Sequence, residues 1–390
     1  MRLFLNHCGV ICPLGTDKAS IVRGLDSAHP AFVFRDGLII GRSVEVGAVE
    51  AIPDLPFGQN CRNNRLMQTA LEQIAPAIED AAQRYGRHRV AVVLGTSTSG
   101  IAEGERAMAE QRRNGQWPAG FDYSQQETGS LSDFTARHLG LTGPAYTIAT
   151  ACSSSAKVFA SARRLIRCGL ADAAVVGGAD TLCRMTLNGF GSLEALSKSR
   201  CNPFSRNRDG ITIGEGAAAF LLSRDHGPVE LLGVGESSDA HHATAPHPEG
   251  LGANAAMAQA LADAALKPTD IAYINLHGTA TSLNDAMESK AVAALFPAST
   301  LCSSTKGMTG HMLGGTGGVE AAFLWLCLNP ATSSGLLPPH LWDGEADPEL
   351  PRLSLVSPGT PIPDLPRLTM LSNSFGFGGS NVSLILGRAS

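Results

Sequence analysis

The sequence lacks several motifs that would assign it to a common class of ligand-binding protein. Its nine cysteines include no CxxC pair of the kind that binds zinc or performs redox chemistry. No GxGxxG spacing stands before a helix pattern and no GxxxxGK occurs, so the usual dinucleotide and phosphate loops are absent. The apolar stretch VEAAFLWLCL is too short to cross a bilayer. We therefore expect no metal, no cofactor and no membrane anchor.

Charged residues are also scarce, at 17% of the chain, and the formal net charge is -5. This balance argues against a nucleic-acid-binding protein that works through bulk attraction to phosphates. The N-terminal segment MRLFLNHCGVICPLG is interrupted by Asn6 and His7 too early for the core of a signal peptide. The odd number of scattered cysteines indicates reduced thiols. We expect a protein that is not exported and that resides in the cytoplasm.

The length of 390 residues exceeds the size of most single cores, which favours two domains or a duplicated fold. The segments RVAVVLGTSTSG and ADAAVVGGAD predict buried strands, and residues 63–84 and 153–167 predict helices. This alternation is typical of an α/β protein. A second series of strands begins near residue 228, so we divide the chain into residues 1–227 and 228–390. The proline-rich residues 329–368 predict irregular surface structure.

The segment YTIATACSSSAKVFASARRLIRCG contains the first candidate catalytic residue, Cys152. Apolar residues follow it at helical spacing and Gly169 stands where a helix should end, which places Cys152 in the first turn of the predicted helix. Free N–H groups and the helix dipole at that position favour a thiolate and could hold an oxyanion. The alternative is a small buried residue, because free cysteines are often buried. The segment alone leaves both interpretations open.

Two histidines in glycine-rich turns are candidate partners for this cysteine. A thiolate that attacks an acyl group needs a residue to manage protons, and histidine is the usual choice near neutral pH. His277 follows an apolar strand in NLHGTAT, and His311 lies in STKGMTGH, five residues after Lys306. Each histidine alone could equally have a structural role.

Taken together, four motifs resemble a known family. The segments TACSSS, HGTAT, STKGMTGH and SNSFGFGGSN occur in the order found in the β-ketoacyl-acyl carrier protein synthases of the type I/II class, members of the thiolase superfamily. The likeness covers essentially the whole chain. It implies a thiolase-like fold, with two related α/β halves in a layered α-β-α-β-α arrangement. Within the family, the segment around the cysteine is most similar to ketosynthases of bacterial aryl polyene clusters.

The resemblance implies a role for each residue of the predicted site. Cys152 would take an acyl chain from acyl carrier protein as a thioester. Malonyl-carrier protein would then lose carbon dioxide, and its enolate would attack that thioester in a decarboxylative Claisen condensation. His277 and His311 would stabilise the enolate by hydrogen bonds to the malonyl carbonyl. Lys306 would organise the site electrostatically together with Glu320, although a structural salt bridge is an alternative for the lysine.

Further roles follow from the same resemblance. Thr279 and Thr281 would contact the pantetheine arm of the carrier. Phe375 and Phe377 resemble the gating aromatic residues of the family, and the backbone N–H groups of Phe377 and Cys152 would form the oxyanion hole. The glycines around these phenylalanines allow close approach and movement of the backbone.

The resemblance also implies macromolecular partners. Acyl carrier proteins are acidic, and Arg62 and Arg65 in CRNNRLMQTALEQI resemble a basic carrier-docking helix, unless they belong to an ordinary solvated helix face. The strand near AYTIATAC should lie at a two-fold interface, in a homodimer or in a heterodimer with a related ketosynthase subunit. Two alternatives remain: a non-catalytic chain-length factor, which usually lacks the nucleophile, and a thiolase, which has a second catalytic cysteine where this chain has SFGFGG.

Overall fold

The computed structural model describes residues 1–50, 52 and 61–390. Apolar runs rich in valine, alanine or leucine form the fully buried central strands at residues 90–95, 173–180 and 216–223. The strands of the described residues are β1 (Phe4–Ile11), β2 (Val33–Ile39), β3 (Arg42–Val46), β4 (Val90–Gly95), β5 (Ala145–Ile148), β6 (Ala173–Asp180), β7 (Gly216–Ser223), β8 (Val229–Ser238), β9 (Tyr273–Asn275), β10 (Leu301–Ser303), β11 (Ser354–Leu355), β12 (Thr369–Gly376) and β13 (Ser380–Arg388).

Helices alternate with these strands, as the sequence predicts for an α/β protein. The α-helices of the described residues are α1 (Lys18–Ser27), α2 (Arg62–Glu72), α3 (Ala75–Tyr85), α4 (Ile101–Asn114), α5 (Ser130–His138), α6 (Ser154–Arg167), α7 (Arg184–Ser192), α8 (Leu251–Ala264), α9 (Ser282–Leu295), α10 (Lys306–Thr309) and α11 (Thr316–Leu328). None of the helices in the described ranges is long and apolar enough to cross a membrane.

Eleven of the strands in the described residues form one sheet, and β2 pairs with β3 in a separate hairpin. The strand order of the large sheet is β11-β10-β9-β12-β13-β8-β1-β7-β6-β4-β5. Strands from the first half of the chain occupy one side and strands from the second half occupy the other. The two sides meet where β1 pairs with β8 at Phe4 and Leu5.

The layers of the molecule follow from which faces of this sheet are covered. Residues of α6 and α11 share one core cluster with β1, β7, β12 and β13, so these two helices lie between the two sides of the sheet. Residues of α2 and α3 cover the outer face of β4, β6 and β7. Residues of α8 and α9 cover the outer face of β9 and β12. This is the predicted α-β-α-β-α arrangement.

Parallel strands bring the predicted motifs to common edges of the sheet. Strand β5 runs parallel to β4, and β9 runs parallel to both β10 and β12. Cys152 follows β5, His277 follows β9, and Lys306 begins α10 directly after β10. Ligands bind beyond the carboxyl ends of strands in such sheets, so these loops are where a site is expected.

Two predictions about individual elements need correction. Residues 63–84 form two helices rather than one, because the chain breaks at Ile74 and restarts with Pro76 in the first turn of α3. Residues 329–368 are largely irregular as predicted, although they contain the two-residue strand β11. The predicted helix over 153–167 begins at Ser154, so Cys152 precedes it instead of lying in its first turn.

Candidate active site

The candidate nucleophile, Cys152, lies in a tight turn between β5 and α6. Ala151 immediately before it adopts a left-handed conformation, with φ at 53°, which is uncommon for a residue with a side chain. The helix that follows packs against β4 at Gly95, where a Cβ atom would stand only 2.5 Å from the carbonyl carbon of Ser154. The turn therefore fixes Cys152 against the sheet, where its side chain is almost fully buried.

His311 contacts the cysteine directly. Its Nε2 atom lies 3.1 Å from Sγ of Cys152, and its Nδ1 atom lies 2.9 Å from the hydroxyl of Thr316. The backbone of His311 is held by two hydrogen bonds, one to the carbonyl of Thr212 and one from the N–H of Gly214. The imidazole is therefore fixed at both ring nitrogens and at its backbone, aimed at the sulfur.

Burial decides the protonation state of this pair. It raises the pKa of the Cys152 thiol to about 11, although the N–H of Phe377 and the charge of Lys306 act in the opposite direction. Burial and the Lys306 charge hold the pKa of His311 well below its usual range. The resting pair is a neutral thiol and a neutral imidazole. This corrects the expectation of a thiolate, which considered only the local helix terminus.

His277 completes a compact group of three. Its ring meets that of His311 edge-on, with centroids 5.3 Å apart, and donor atoms of both histidines and Cys152 lie within 4.8 Å of one another. The loop that carries His277 is fixed by Glu288, whose two carboxylate oxygens each accept a backbone N–H at 2.7 Å, from His277 and Gly278. Burial, together with the nearby Lys306, keeps the pKa of His277 well below its usual range.

Lys306 and Glu320 form a fully buried ion pair beside this group. The ammonium nitrogen lies 2.7 Å from Oε1 of Glu320, and both side chains are almost inaccessible to solvent. Burial raises the pKa of the Glu320 carboxyl, and the neighbouring Lys306 charge counteracts that rise. A buried pair of this kind needs both partners, because removing one leaves an uncompensated charge. Lys306 thus has a structural role and also places a positive charge near both histidines.

A cavity of about 280 Å³ opens onto the sulfur and the two histidines. Thr279 and Thr281 line it, with their hydroxyl oxygens 2.9 Å apart. Phe375 and Phe377 also line it, and the ring of Phe377 packs against Phe190 with centroids 5.5 Å apart. Cys152 lies at this cavity with its reactive atom toward the N–H of Phe377. The cavity therefore brings the sulfur, the two imidazoles and the threonine hydroxyls to one accessible space.

Comparison with known proteins shows the family and the fold of the chain. The family model for the beta-ketoacyl synthase N-terminal domain matches residues 57–227, and the model for the C-terminal domain matches residues 229–341. The chain belongs to the β-ketoacyl synthase family. The thiolase-like fold and the family predicted from the four motifs are thereby confirmed.

Individual members of the β-ketoacyl synthase family are similar over the whole chain. The 3-oxoacyl-[acyl-carrier-protein] synthase 2 of Staphylococcus aureus strain MRSA252 is 33% identical, with 99% of this chain and 98% of that protein covered. One chain of the complex between the ketosynthase ApeO and its chain length factor ApeC, from Xenorhabdus doucetiae, is 45% identical, with a TM-score of 0.95, and 100% of this chain and 98% of that chain are covered. The ishigamide ketosynthase/chain length factor structure is 27% identical, with a TM-score of 0.89 and coverage of 100% and 99%.

The predicted docking arginines of this β-ketoacyl synthase lie three residues apart on α2. Arg62 donates to both carboxylate oxygens of Glu215, with Nε at 2.7 Å, and Glu215 is completely buried. Arg62 is therefore required to neutralise a buried carboxylate, a role that the sequence did not suggest. A docking role for Arg62 and Arg65 stays a prediction.

Several residues that shape the site were missed from the sequence. Glu288 and Asp180 are fully buried carboxylates, and Asp180 accepts hydrogen bonds from Thr98 and from the backbone of Gly315, close to His311. A sequence signal exists for Glu288, because it lies four residues before Val292 on the buried face of α9. Isolated carboxylates are normally assigned to the surface, which is why neither was predicted.

The group of Cys152, His277 and His311 also resembles a zinc ligand set in its donor atoms. Sulfur and imidazole nitrogen are the ligands that Zn²⁺ prefers, and three protein ligands with an open position are typical of catalytic zinc. Membership of the β-ketoacyl synthase family favours acyl transfer for this group instead. The resemblance predicts these three side chains as the nucleophile and the hydrogen-bond donors of that reaction, and these roles stay a prediction.

Proposed function

We propose that the protein is a β-ketoacyl-acyl carrier protein synthase that performs a decarboxylative Claisen condensation. The observation that carries this proposal is the contact of His311 Nε2 with Cys152 Sγ at 3.1 Å, beside His277 and within one cavity. A nucleophile with an adjacent base is the arrangement that covalent acyl transfer requires. Simple acyl transfer does not need a second histidine. His277 supplies a further hydrogen-bond donor for the enolate of the condensation.

The first half-reaction transfers an acyl chain to Cys152. As the sulfur attacks the thioester carbonyl of acyl-carrier protein, the thiol proton passes to Nε2 of His311. The tetrahedral oxyanion is stabilised by the backbone N–H groups of Phe377 and Cys152. When the intermediate collapses, the carrier thiol leaves and takes the proton from His311. This route begins from the neutral thiol that burial produces.

The second half-reaction forms the new carbon–carbon bond. With the sulfur acylated, Nε2 of His311 no longer accepts from a thiol. The neutral ring then takes its other tautomer by proton exchange with solvent, so that Nε2 carries the proton and Nδ1, which donated to Thr316 before, now accepts the Thr316 hydroxyl. His311 and His277 then donate to the malonyl thioester oxygen. The bond between the malonyl α-carbon and the carboxylate breaks, and carbon dioxide leaves. The electron pair of that bond forms the enolate, whose α-carbon attacks the acyl carbonyl. The Cys152 thiolate is expelled and takes one proton from solvent to regenerate the thiol, leaving a β-ketoacyl chain on the carrier.

The relatives support this activity, and the resemblance of the segment around Cys152 to aryl polyene ketosynthases suggests a pathway. The Staphylococcus aureus relatives are named as 3-oxoacyl-[acyl-carrier-protein] synthases, and one chain of the complex of the ketosynthase ApeO with its chain length factor is 45% identical. We propose that the chain serves polyketide or fatty acid synthesis, with aryl polyene synthesis as the specific pathway. The nine cysteines are all unpaired, which supports a reducing, cytoplasmic location.

Intact-protein mass spectrometry tests the proposed activity. Incubation with a panel of acyl-carrier proteins should add the mass of one acyl group to the protein, and subsequent malonyl-carrier protein should remove that mass while releasing carbon dioxide. The size of the added mass names the preferred acyl chain. A protein that gains no acyl mass and releases no carbon dioxide, alone or with a partner subunit, is not a synthase.

The alternative is that the chain is a chain-length factor. The observation behind this alternative is that the similar structures contain a ketosynthase together with a chain length factor. Retention of Cys152, His277 and His311 in contact with one another favours the catalytic subunit. A factor that only shapes a tunnel has no need for this geometry.

We propose a dimer with a second ketosynthase-like subunit, either a copy of this chain or a chain-length factor. Strand β5 forms an end of the large sheet and pairs only with β4 among the described strands, so its outer edge is open to a partner strand. The relatives ApeO and the ishigamide ketosynthase were solved with chain length factors.

Light scattering combined with an activity assay tests this assembly. We expect a dimer mass for every sample that catalyses condensation, with or without an added chain-length factor. Activity that appears only after a second subunit is added would establish the heterodimer. A sample of monomer mass that still condenses malonyl-carrier protein contradicts the proposal.

A further inference from the structure

His340 lies in the largely irregular segment before β12, yet its side chain is buried in the interior. Only 3% of it is exposed, and it does not line the cavity that contains Cys152. Its Nε2 atom is 3.0 Å from the carbonyl oxygen of Pro203, so this nitrogen must carry the proton. Its Nδ1 atom then accepts the backbone N–H of Ser304 at 3.1 Å. Both ring nitrogens are thus committed to backbone groups of two different loops.

Ser304 connects this histidine to two loops of the active site. Its hydroxyl donates to the carbonyl oxygen of Gly278 at 2.7 Å and accepts the backbone N–H of Lys306 at 3.3 Å. Gly278 follows His277 directly, and Lys306 begins the helix that leads to His311. A displacement of Ser304 would therefore reach the loop of His277 and the start of the helix at Lys306.

The packing around Gly278 leaves little room for such a displacement. A Cβ atom at Gly278 would lie 2.5 Å from Cβ of Ser304 and 2.8 Å from the ring of Phe204. The Phe204 ring in turn contacts the ring of His340, with centroids 5.9 Å apart. Ser304 and Phe204 are the two groups packed against Gly278. His340 contacts both of them, Ser304 through a hydrogen bond and Phe204 through its ring.

We propose that His340 is a positioning residue for the decarboxylation step, acting through Ser304 on the loops that carry His277 and Lys306. It touches neither Cys152 nor the cavity. His311, which serves acyl transfer, is held by its own hydrogen bonds with Thr212, Gly214 and Thr316, so acyl transfer should change little. Burial lowers the pKa of the His340 imidazole to about 4, which keeps the ring neutral and its Nδ1 atom able to accept at neutral pH. This inference rests on the proposed condensation.

Two neutral substitutions separate the hydrogen bonds of His340. In His340→Asn the side-chain oxygen takes the place of Nδ1 and keeps the acceptor for Ser304. In His340→Gln the side-chain amide nitrogen takes the place of Nε2 and keeps the donor to Pro203 but loses the acceptor. Trp342→Phe is the packing control, because its ring contacts the His340 ring with centroids 5.6 Å apart but does not belong to the hydrogen-bonded chain.

We expect His340→Gln to lower the rate of carbon dioxide release by on the order of tenfold to a hundredfold, because small misplacements of catalytic groups are costly. The KM for malonyl-carrier protein and the rate of acylation of Cys152 should stay within about threefold of the wild type. A lower rate at an unchanged KM is the result of losing an interaction that is made only in the transition state. His340→Asn should restore most of the carbon dioxide release. Trp342→Phe should change it by no more than about twofold.

Other outcomes overturn the inference. It fails if His340→Gln releases carbon dioxide at the wild-type rate, if the asparagine variant loses as much as the glutamine variant, or if Trp342→Phe matches that loss. It also fails if acylation and decarboxylation fall in the same proportion, the result of a general loss of folded protein. A wild-type protein that releases no carbon dioxide would instead reject the proposed function itself.

Discussion

Replacement of Cys152 with alanine is expected to abolish both acylation of the protein and condensation. The sulfur is the group at the cavity that contacts His311 and faces the N–H of Phe377, so its removal leaves the acyl chain without an attachment point. The smaller side chain fits the same buried turn, so the fold should persist. Intact mass spectrometry should show no acyl adduct on the variant after incubation with acyl-carrier protein.

Cys168 offers a matched control because it is the exposed cysteine among the nine. We expect Cys168→Ala to gain the same acyl mass as the wild type. An acyl adduct on the Cys152→Ala variant would show that another cysteine is the nucleophile, and the assignment of the site would then be wrong.

Alanine at either active-site histidine should slow decarboxylation on the order of a hundredfold or more, because each removes one donor to the developing enolate. The two variants should differ in the first half-reaction. His277→Ala should still be acylated on Cys152 at close to the wild-type rate. His311→Ala should also be acylated more slowly, because Nε2 of His311 is the atom beside the sulfur and accepts its proton.

Release of labelled carbon dioxide from malonyl-carrier protein and the rate of acyl-enzyme formation measure these two steps separately. His226→Ala is a suitable control, because His226 is exposed and packs against Phe4 at the first strand. Wild-type release of carbon dioxide by either active-site variant would remove that histidine from the mechanism. Equal acylation rates for His277→Ala and His311→Ala would contradict the proton transfer to His311.

The local part of the site could be predicted from the sequence. The strand before Cys152, the helix after it and the glycine turns around His311 depend on residues near one another in the chain, and the structure places them as expected. The protonation state of Cys152 could not be predicted in this way. It depends on burial by side chains from distant segments, which outweighs the helix terminus and raises the thiol pKa.

Long-range contacts explain the other misses. Glu215 pairs with Arg62 across a large sequence separation, and its burial gives that arginine a structural role which spacing alone could not indicate. The hydrogen bond from the Ser304 N–H to His340 could not be predicted either, because His340 lies in a segment with no regular sequence pattern. By contrast, the break between α2 and α3 has a local signal in Pro76, although one long helix is predicted for residues 63–84.

The position of β1 in the sheet bears on how the protein is made. This strand precedes both of its sheet neighbours in the chain by a long separation, because Phe4 pairs with Ser223 of β7 and with Glu230 of β8. At about 5–20 residues per second, the apolar strand waits on the order of ten seconds or more on the ribosome before either neighbour exists. The second half of the sheet is completed later still, because β12 lies between β9 and β13 and β13 is synthesised after both. Newly made chains therefore expose an unpaired strand through much of translation, and we expect their yield to rise with added chaperones or with slow growth at low temperature.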